Sequence, residues 1–388
     1  MSKFLIKNGR VINPGTHRDT VADVFIVDDM IADLATKTTE DVHVIDATGK
    51  WVIPGVVDMH VHLRDFEESE KETIESGTLA ARKGGVTTVV AMPNTKPPLD
   101  GEDPIKKYYD LIAKNARVEV LVAGAISKGL QGKELTDLAH YYFELGVKMV
   151  TDDGKDIDDE KLLEEAYKKA KECGLILMTH AEMAKGSPKE KEWKAVERGI
   201  RLALKTGARA HFTHLSTKES IDLIRQAKKE NNNITCDVTP HHFTFTEKEV
   251  ERSGPLAKVN PPLRAEEDRL AVIEGIRDGT VDAIASDHAP HGESDKKDFD
   301  SATFGISGLE TLIPATLTEL HFRQGIDLLK IVGLLTASPA KILNINAGHL
   351  QTGADANLVV VDPDLTKTVD RMSFVSKGKN TPFHGMKL

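Results

Sequence analysis

Apolar positions along this chain follow two regimes. Through residue 52, short runs alternate apolar and polar side chains: FLIKNGRVI, DVFIVDDMIADLA and HVIDA, broken by Asn-Gly, Pro-Gly and Asp-Asp. Alternation with period two buries one face of a strand, and the intervening turn residues mark hairpins. Near the other end, TGADANLVVVDP is a further isolated strand beside Gly and Asp. The two terminal segments, 1–52 and 345–388, are expected to build one small β-sandwich module.

Between them, over 53–344, short Val/Ile/Ala-rich runs alternate with longer amphipathic segments. Strands are expected at 53–62, 86–92, 117–124, 147–151, 175–180, 209–214, 233–238 and 281–287. Helices are expected at 69–84, 103–115, 134–145, 158–173, 188–206, 217–230 and 265–278, with more at 308–322 and 326–335. Short strands without polar alternation belong to a parallel sheet covered on both faces. Eight strand–helix units in a row predict a closed (β/α)8 barrel, with an open sheet as the alternative.

Composition narrows the class. With 388 residues, 40% of them apolar and 29% charged, the chain is an ordinary globular one. A net charge of −10 argues against a general nucleic-acid binder, which needs a basic stripe. It leaves room for a small anionic substrate gripped by a local cation. Cys173 and Cys236, the two cysteines, lack CxxC spacing, which fits a reducing compartment. No apolar run approaches a secretory signal or a membrane span. A cytoplasmic location is the expectation.

The chemistry is suggested by where polar residues fall. His60 and His62 end the first strand, and Asp153 follows the fourth. His180 ends the fifth, His214 the sixth and Asp287 the eighth. In a barrel these ends open onto one face, the face where active sites are built. Side chains two apart share one side of a strand, so His60 and His62 can bind one ion. A single strand-end histidine is ordinarily structural; the concentration of four with two carboxylates points to metal. His211 reads as packing within the sixth strand. His241 and His242, in TPHH, read either as supports of the site or as a turn. Arg64 reads either as a carboxylate grip or as a surface ion pair with Glu67, Glu68 or Glu70.

The run GVVDMHVHLRD, with MPNT, TDDG, HLSTKES, NPPLR, SDHAPH, FGISGLE and KGKNTPFHG in that order, resembles the amidohydrolase superfamily. Within it the chain is similar to the type I dihydroorotases over nearly its whole length. That resemblance implies roles. His60 and His62 would hold one metal and His180 and His214 a second. Asp153 would bridge them, and Asp287 would complete the first shell. Imidazole nitrogen with carboxylate oxygen suits Zn²⁺, with Mn²⁺ and Co²⁺ as alternatives, one or two ions per chain with two expected. Related enzymes bridge with a carboxylated lysine, and Lys148 lies nearby; the match to TDDG favours Asp153, with Asp152 a local hydrogen-bonding partner. The implied reaction is reversible hydrolysis of dihydroorotate to N-carbamoyl-L-aspartate, by a metal-bound hydroxide with Asp287 as general acid and base. Arg64, Asn94, Asn260 and His291 would hold the substrate carboxylate.

Family members continue beyond GMKL through further strands, so the terminal module is expected to be shortened here. The polar segment after His291, GESDKKDFDSATF, reads either as a loop over the site or as an ordinary exposed loop. The resemblance also allows a homo-oligomer and association with aspartate carbamoyltransferase. Two competing readings stand beside the dihydroorotase. One is a hydantoinase or allantoinase, whose uncharged substrates need no carboxylate grip. The other is a non-catalytic partner of aspartate carbamoyltransferase, which would be expected to have lost metal ligands.

Overall fold

The structure, a computed structural model, describes residues 2–36, 41–231 and 233–388. Five strands open the chain: β1 (Lys3–Asn13), β2 (Arg18–Val27), β3 (Met30–Ala32), β4 (His43–Asp46) and β5 (Trp51–Pro54). Eight more alternate with helices: β6 (Val56–Val61), β7 (Val86–Ala91), β8 (Glu119–Gly124), β9 (Met149–Val150), β10 (Ile176–Thr179), β11 (Arg209–Phe212), β12 (Ile234–Val238) and β13 (Ala283–Ile284). The last strand, β14, is Leu358–Val361.

β6 to β13 form one eight-stranded parallel sheet in sequential order, as the alternating pattern predicts. A bridge between Val61 and His288 joins its ends, and the His62 N–H donates to the His288 carbonyl at 2.8 Å. The sheet is therefore a barrel. Its strands are buried on both faces, which is why the sequence shows no polar alternation there. One large apolar cluster packs strands such as Val89, Val122, Leu177 and Phe212 against the helices. A second cluster, with Val57, Met59, Val90, Met149 and Met178, fills the inside together with Ile342 and Leu343 of helix Ala337–Leu343. That helix was not expected from the sequence, and the one expected over 308–322 is split into Leu312–Thr316 and the π-helical Leu317–Arg323.

The first five strands and β14 form a separate six-stranded sheet, ordered β14-β5-β1-β2-β3 with β4 also on β1. β14 pairs antiparallel with β5, so one strand from the C-terminal segment lies in the sheet built by the N-terminal one. Beyond β14 the chain runs to the barrel instead. Asn380 is buried there: its Nδ2 donates to the Ala289 and Gly305 carbonyls, and its Oδ1 accepts the His291 N–H. Among the described residues no helix is long and apolar enough to cross a membrane.

Candidate active site

The ends of the barrel strands deliver their polar residues to one cavity of about 300 Å³. Its lining includes His62, Arg64, Asn94, Asp153, His180, His214, Asn260, Asp287 and His291, nine of the ten residues singled out from the sequence. The tenth, His60, is buried against this cavity's lining, its Nε2 3.2 Å from Asp153 Oδ1 and 3.5 Å from Asp287 Oδ1. A larger groove of about 570 Å³ lies between β14 and the barrel helices, but it holds none of these groups.

Local backbone explains how the side chains converge. The pairing of β6 with β7 is irregular between Asp58 and Val61. Met59 joins the interior cluster, yet its neighbour His60 faces the two carboxylates. Strict alternation would turn one of them away, so the irregularity lets both serve. Arg64, His214 and Asp287 have φ of 52°, 41° and 48°, a left-handed backbone that non-glycine residues adopt at a cost of about 1–2 kcal/mol each. Asp237 helps to hold one of these turns, accepting the His214 N–H at 2.6 Å.

His62 Nε2 lies 3.5 Å from Asp153 Oδ2 and 3.4 Å from Asp287 Oδ1, while its Nδ1 meets Asn94 Oδ1 at 2.8 Å. His180 Nδ1 stands 3.0 Å from His214 Nε2 and 3.6 Å from Asp153 Oδ1. Donor atoms of His60, His62 and Asp287 lie close enough to share an ion, as do those of His60, Asp153 and His214. The second grouping has His60 where the resemblance implied His180, although His180 faces both other members.

The donor set suits a divalent cation on its own chemistry. His60 Nε2 and Asp153 Oδ1 are buried without a hydrogen-bond partner. Two imidazole nitrogens 3.0 Å apart repel unless a proton or cation lies between them. Burial pushes Asp153 and Asp287 up, but the surrounding imidazoles, His60 foremost, outweigh it and hold both carboxyls below their usual range. Burial disfavours charged His60, yet Asp153 and Asp287 raise it to about 9. His180 is likewise raised to about 10, by Asp153 and Glu182 against burial. His214 is pushed well down by burial and by His180. Nitrogen and oxygen donors gathered in this way suit a divalent cation, Zn²⁺ among them.

The other side of the cavity is cationic. Arg64 is buried and forms no ion pair among the described residues, although Glu68, Asp153 and Asp287 favour its charge from further off. Glu68, one of its candidate surface partners, is engaged by Lys71 at 2.7 Å and Lys96 at 3.2 Å. The Arg64 Nη2 approaches His291 Nε2 at 3.3 Å. That nitrogen is 2.9 Å from the Phe304 carbonyl, which can only accept, so it carries the proton and cannot accept from Arg64. Burial and Arg64 push His291 down to about 2, which keeps it neutral. Arg64 Nε has no partner.

Some neighbours were expected and others were not. Asp152 is the structural member of TDDG: its Oδ1 accepts the Ile126 and Ser127 N–H groups at 2.8 and 2.9 Å. Lys148 does not line the cavity. His242 is a structural residue, bonded to Thr239 Oγ1 at 2.7 Å and the Pro261 carbonyl at 2.9 Å. His241 is buried with both ring nitrogens unpartnered. Glu182 escaped the sequence reading. It lies 3.5 Å from His180 Nε2 and accepts from Asn260 Nδ2 at 2.9 Å. The histidine two residues before it was the available signal. Phe304, at the end of the polar segment after His291, also lines the cavity.

Fold and donor set define a barrel enzyme of the metal-dependent hydrolase type, and comparison with known proteins agrees. The sequence profile of the amidohydrolase family matches residues 51–387. The dihydroorotase of Thermoanaerobacter sp. (strain X514) is 43% identical, over all of this chain and 94% of that protein. The dihydroorotase of Clostridioides difficile (strain 630) is 41% identical, over 99% of this chain and 96% of that protein. Among solved structures, the L-hydantoinase (dihydropyrimidinase) of Arthrobacter aurescens superposes with a TM-score of 0.90 at 28% identity, covering 100% of this chain and 93% of that one. The chain belongs to the amidohydrolase family and, within it, to the dihydroorotases.

Proposed function

We propose that this enzyme, a cyclic amide hydrolase, interconverts (S)-dihydroorotate and N-carbamoyl-L-aspartate, the ring-opening and ring-closing step of pyrimidine synthesis. The observation that carries the substrate is Arg64. A buried guanidinium whose Nε has no hydrogen-bond partner and which forms no ion pair among the described residues, facing a cavity, calls for an anionic ligand. Dihydroorotate has such a carboxylate on its ring; hydantoin and dihydrouracil do not.

His60, His62 and Asp287 would hold one Zn²⁺, and His180 and His214 a second, with Asp153 between them. Bound there, the ions would supply Lewis acidity, making water nucleophilic at neutral pH and polarising the ring amide. The protein's own groups do the rest. Arg64 pairs with the substrate carboxylate, and Asn94, Asn260 and His291 line the cavity around it. This fixes which ring carbonyl meets the attacking oxygen. Asp287 takes the proton of the attacking water and delivers it to the ring nitrogen as the C–N bond breaks. In ring closure it takes the proton from the carbamoyl nitrogen and gives it to the departing hydroxyl, which leaves as water. A carboxyl held below its usual range is ionised at neutral pH, as the base must be.

Side-by-side assays of the Zn²⁺-loaded enzyme on dihydroorotate, hydantoin and allantoin test this. Dihydroorotate should turn over with kcat/KM at least about 100-fold above the uncharged rings, the worth of roughly 3 kcal/mol of charged hydrogen bonding. Preference for hydantoin or allantoin would refute the proposal.

A further inference from the structure

The inside of the barrel below the site carries a polar chain that the reaction does not use. Asp237 on β12 and His211 on β11 are both fully buried, with His211 Nε2 2.8 Å from Asp237 Oδ2. Thr213 Oγ1 lies 3.0 and 3.2 Å from the two Asp237 oxygens. The same Thr213 oxygen is 2.8 Å from His60 Nδ1. Directions follow from donor capacity. A carboxylate only accepts, so the single Thr213 hydroxyl proton points to Asp237. The Thr213 oxygen then presents a lone pair to His60, and His60 Nδ1 must be the nitrogen that donates. In the neutral ring, the form that ligates a cation, this leaves the His60 Nε2 lone pair for the cavity side, where that atom stands without a hydrogen-bond partner beside Asp153 and Asp287.

We propose that Asp237, acting through Thr213 and anchored by His211, is a positioning residue that fixes the tautomer and ring orientation of His60. The inference rests on the reading of His60 as a metal ligand. Its logic is that of a ligating imidazole, whose distal N–H needs a fixed acceptor. Here the acceptor is a hydroxyl and the charge stands one bond further away. Asp237 also accepts the His214 N–H, so one carboxylate serves the turn of a second site histidine.

The test uses full-length protein and measures Zn²⁺ affinity and stoichiometry by competition with a chelating indicator. Melting of the metal-free variants is followed alongside. Thr213→Val keeps the shape but removes the acceptor, and it should weaken the tighter ion about 10- to 100-fold. Thr213→Ser should restore affinity to within about threefold, a rescue that a purely steric role would not give. Asp237→Asn, which also disturbs the His214 turn, should weaken binding at least as much, and because both changes break one chain, the double variant should lose little more than Asp237→Asn alone. Thr213→Val binding as tightly as wild type, or fully additive losses, would overturn the inference while leaving the proposed function standing. Wild-type protein that takes up no Zn²⁺ would overturn both.

Discussion

Two halves of one cavity invite comparison. On one side, four imidazoles and two carboxylates crowd together, and Asp153 and Asp287 draw positive charge onto His60. On the other, Arg64 stands buried with no ion pair among the described residues while His291 is held neutral beside it. The first half is built to hold cations and the second an anion. The first is common to the wide class of barrel hydrolases. In the proposed function the second selects the substrate. A metal site alone therefore says little about which ring is opened; the guanidinium next to it says more.

The comparison can be broken from the metal side first. Removal of metal with a chelator should abolish turnover, and added Zn²⁺ should restore it; full activity in a preparation shown metal-free would sink the account of the acceptor-rich half. Asp287→Asn should come next. It removes the proton carrier and should lower kcat on the order of 10³-fold, with a retained native circular dichroism spectrum as the control for folding. On the anion side, Arg64→Met should weaken binding of orotate, measured by calorimetry, by about 10²-fold or about 3 kcal/mol. Unchanged affinity would move the carboxylate elsewhere.

The smallest effect concerns the segment behind His291. Lys296 is buried, donating to the Pro255 and Lys258 carbonyls at 3.2 and 3.0 Å. Burial and Lys258 push it down to about 7. Between that value and 10.5 the unfolded chain binds the extra proton, so stability should rise with pH across this window. Lys296→Met should flatten that rise by up to one proton in denaturant titrations at several pH values. An unchanged slope would mean that the ammonium is not desolvated.

Local sequence carried much of this. The unbroken apolar strands announced a parallel barrel because both faces are covered, and all eight strands lie where the pattern put them. His60 and His62 were visible because a strand repeats every two residues, even though the irregular pairing of β6 was not. What escaped depends on contacts distant along the chain. Thr213 meets His60 across 153 positions, and Asn380 reaches His291 across 89. His211 looked like packing because a strand position shows which way a residue faces but not what it meets there. Glu182 was passed over because an acid in a loop is ordinarily solvated.

The central claim is that Arg64 turns a general metal site into one selective for a ring carboxylate. The most direct test compares dihydroorotate with dihydrouracil, the same ring without the carboxylate, for wild type and Arg64→Met. The account predicts that the ratio of kcat/KM values, high in wild type, falls about 100-fold in the variant through loss of the carboxylate-bearing substrate alone. A ratio that stays the same would contradict it.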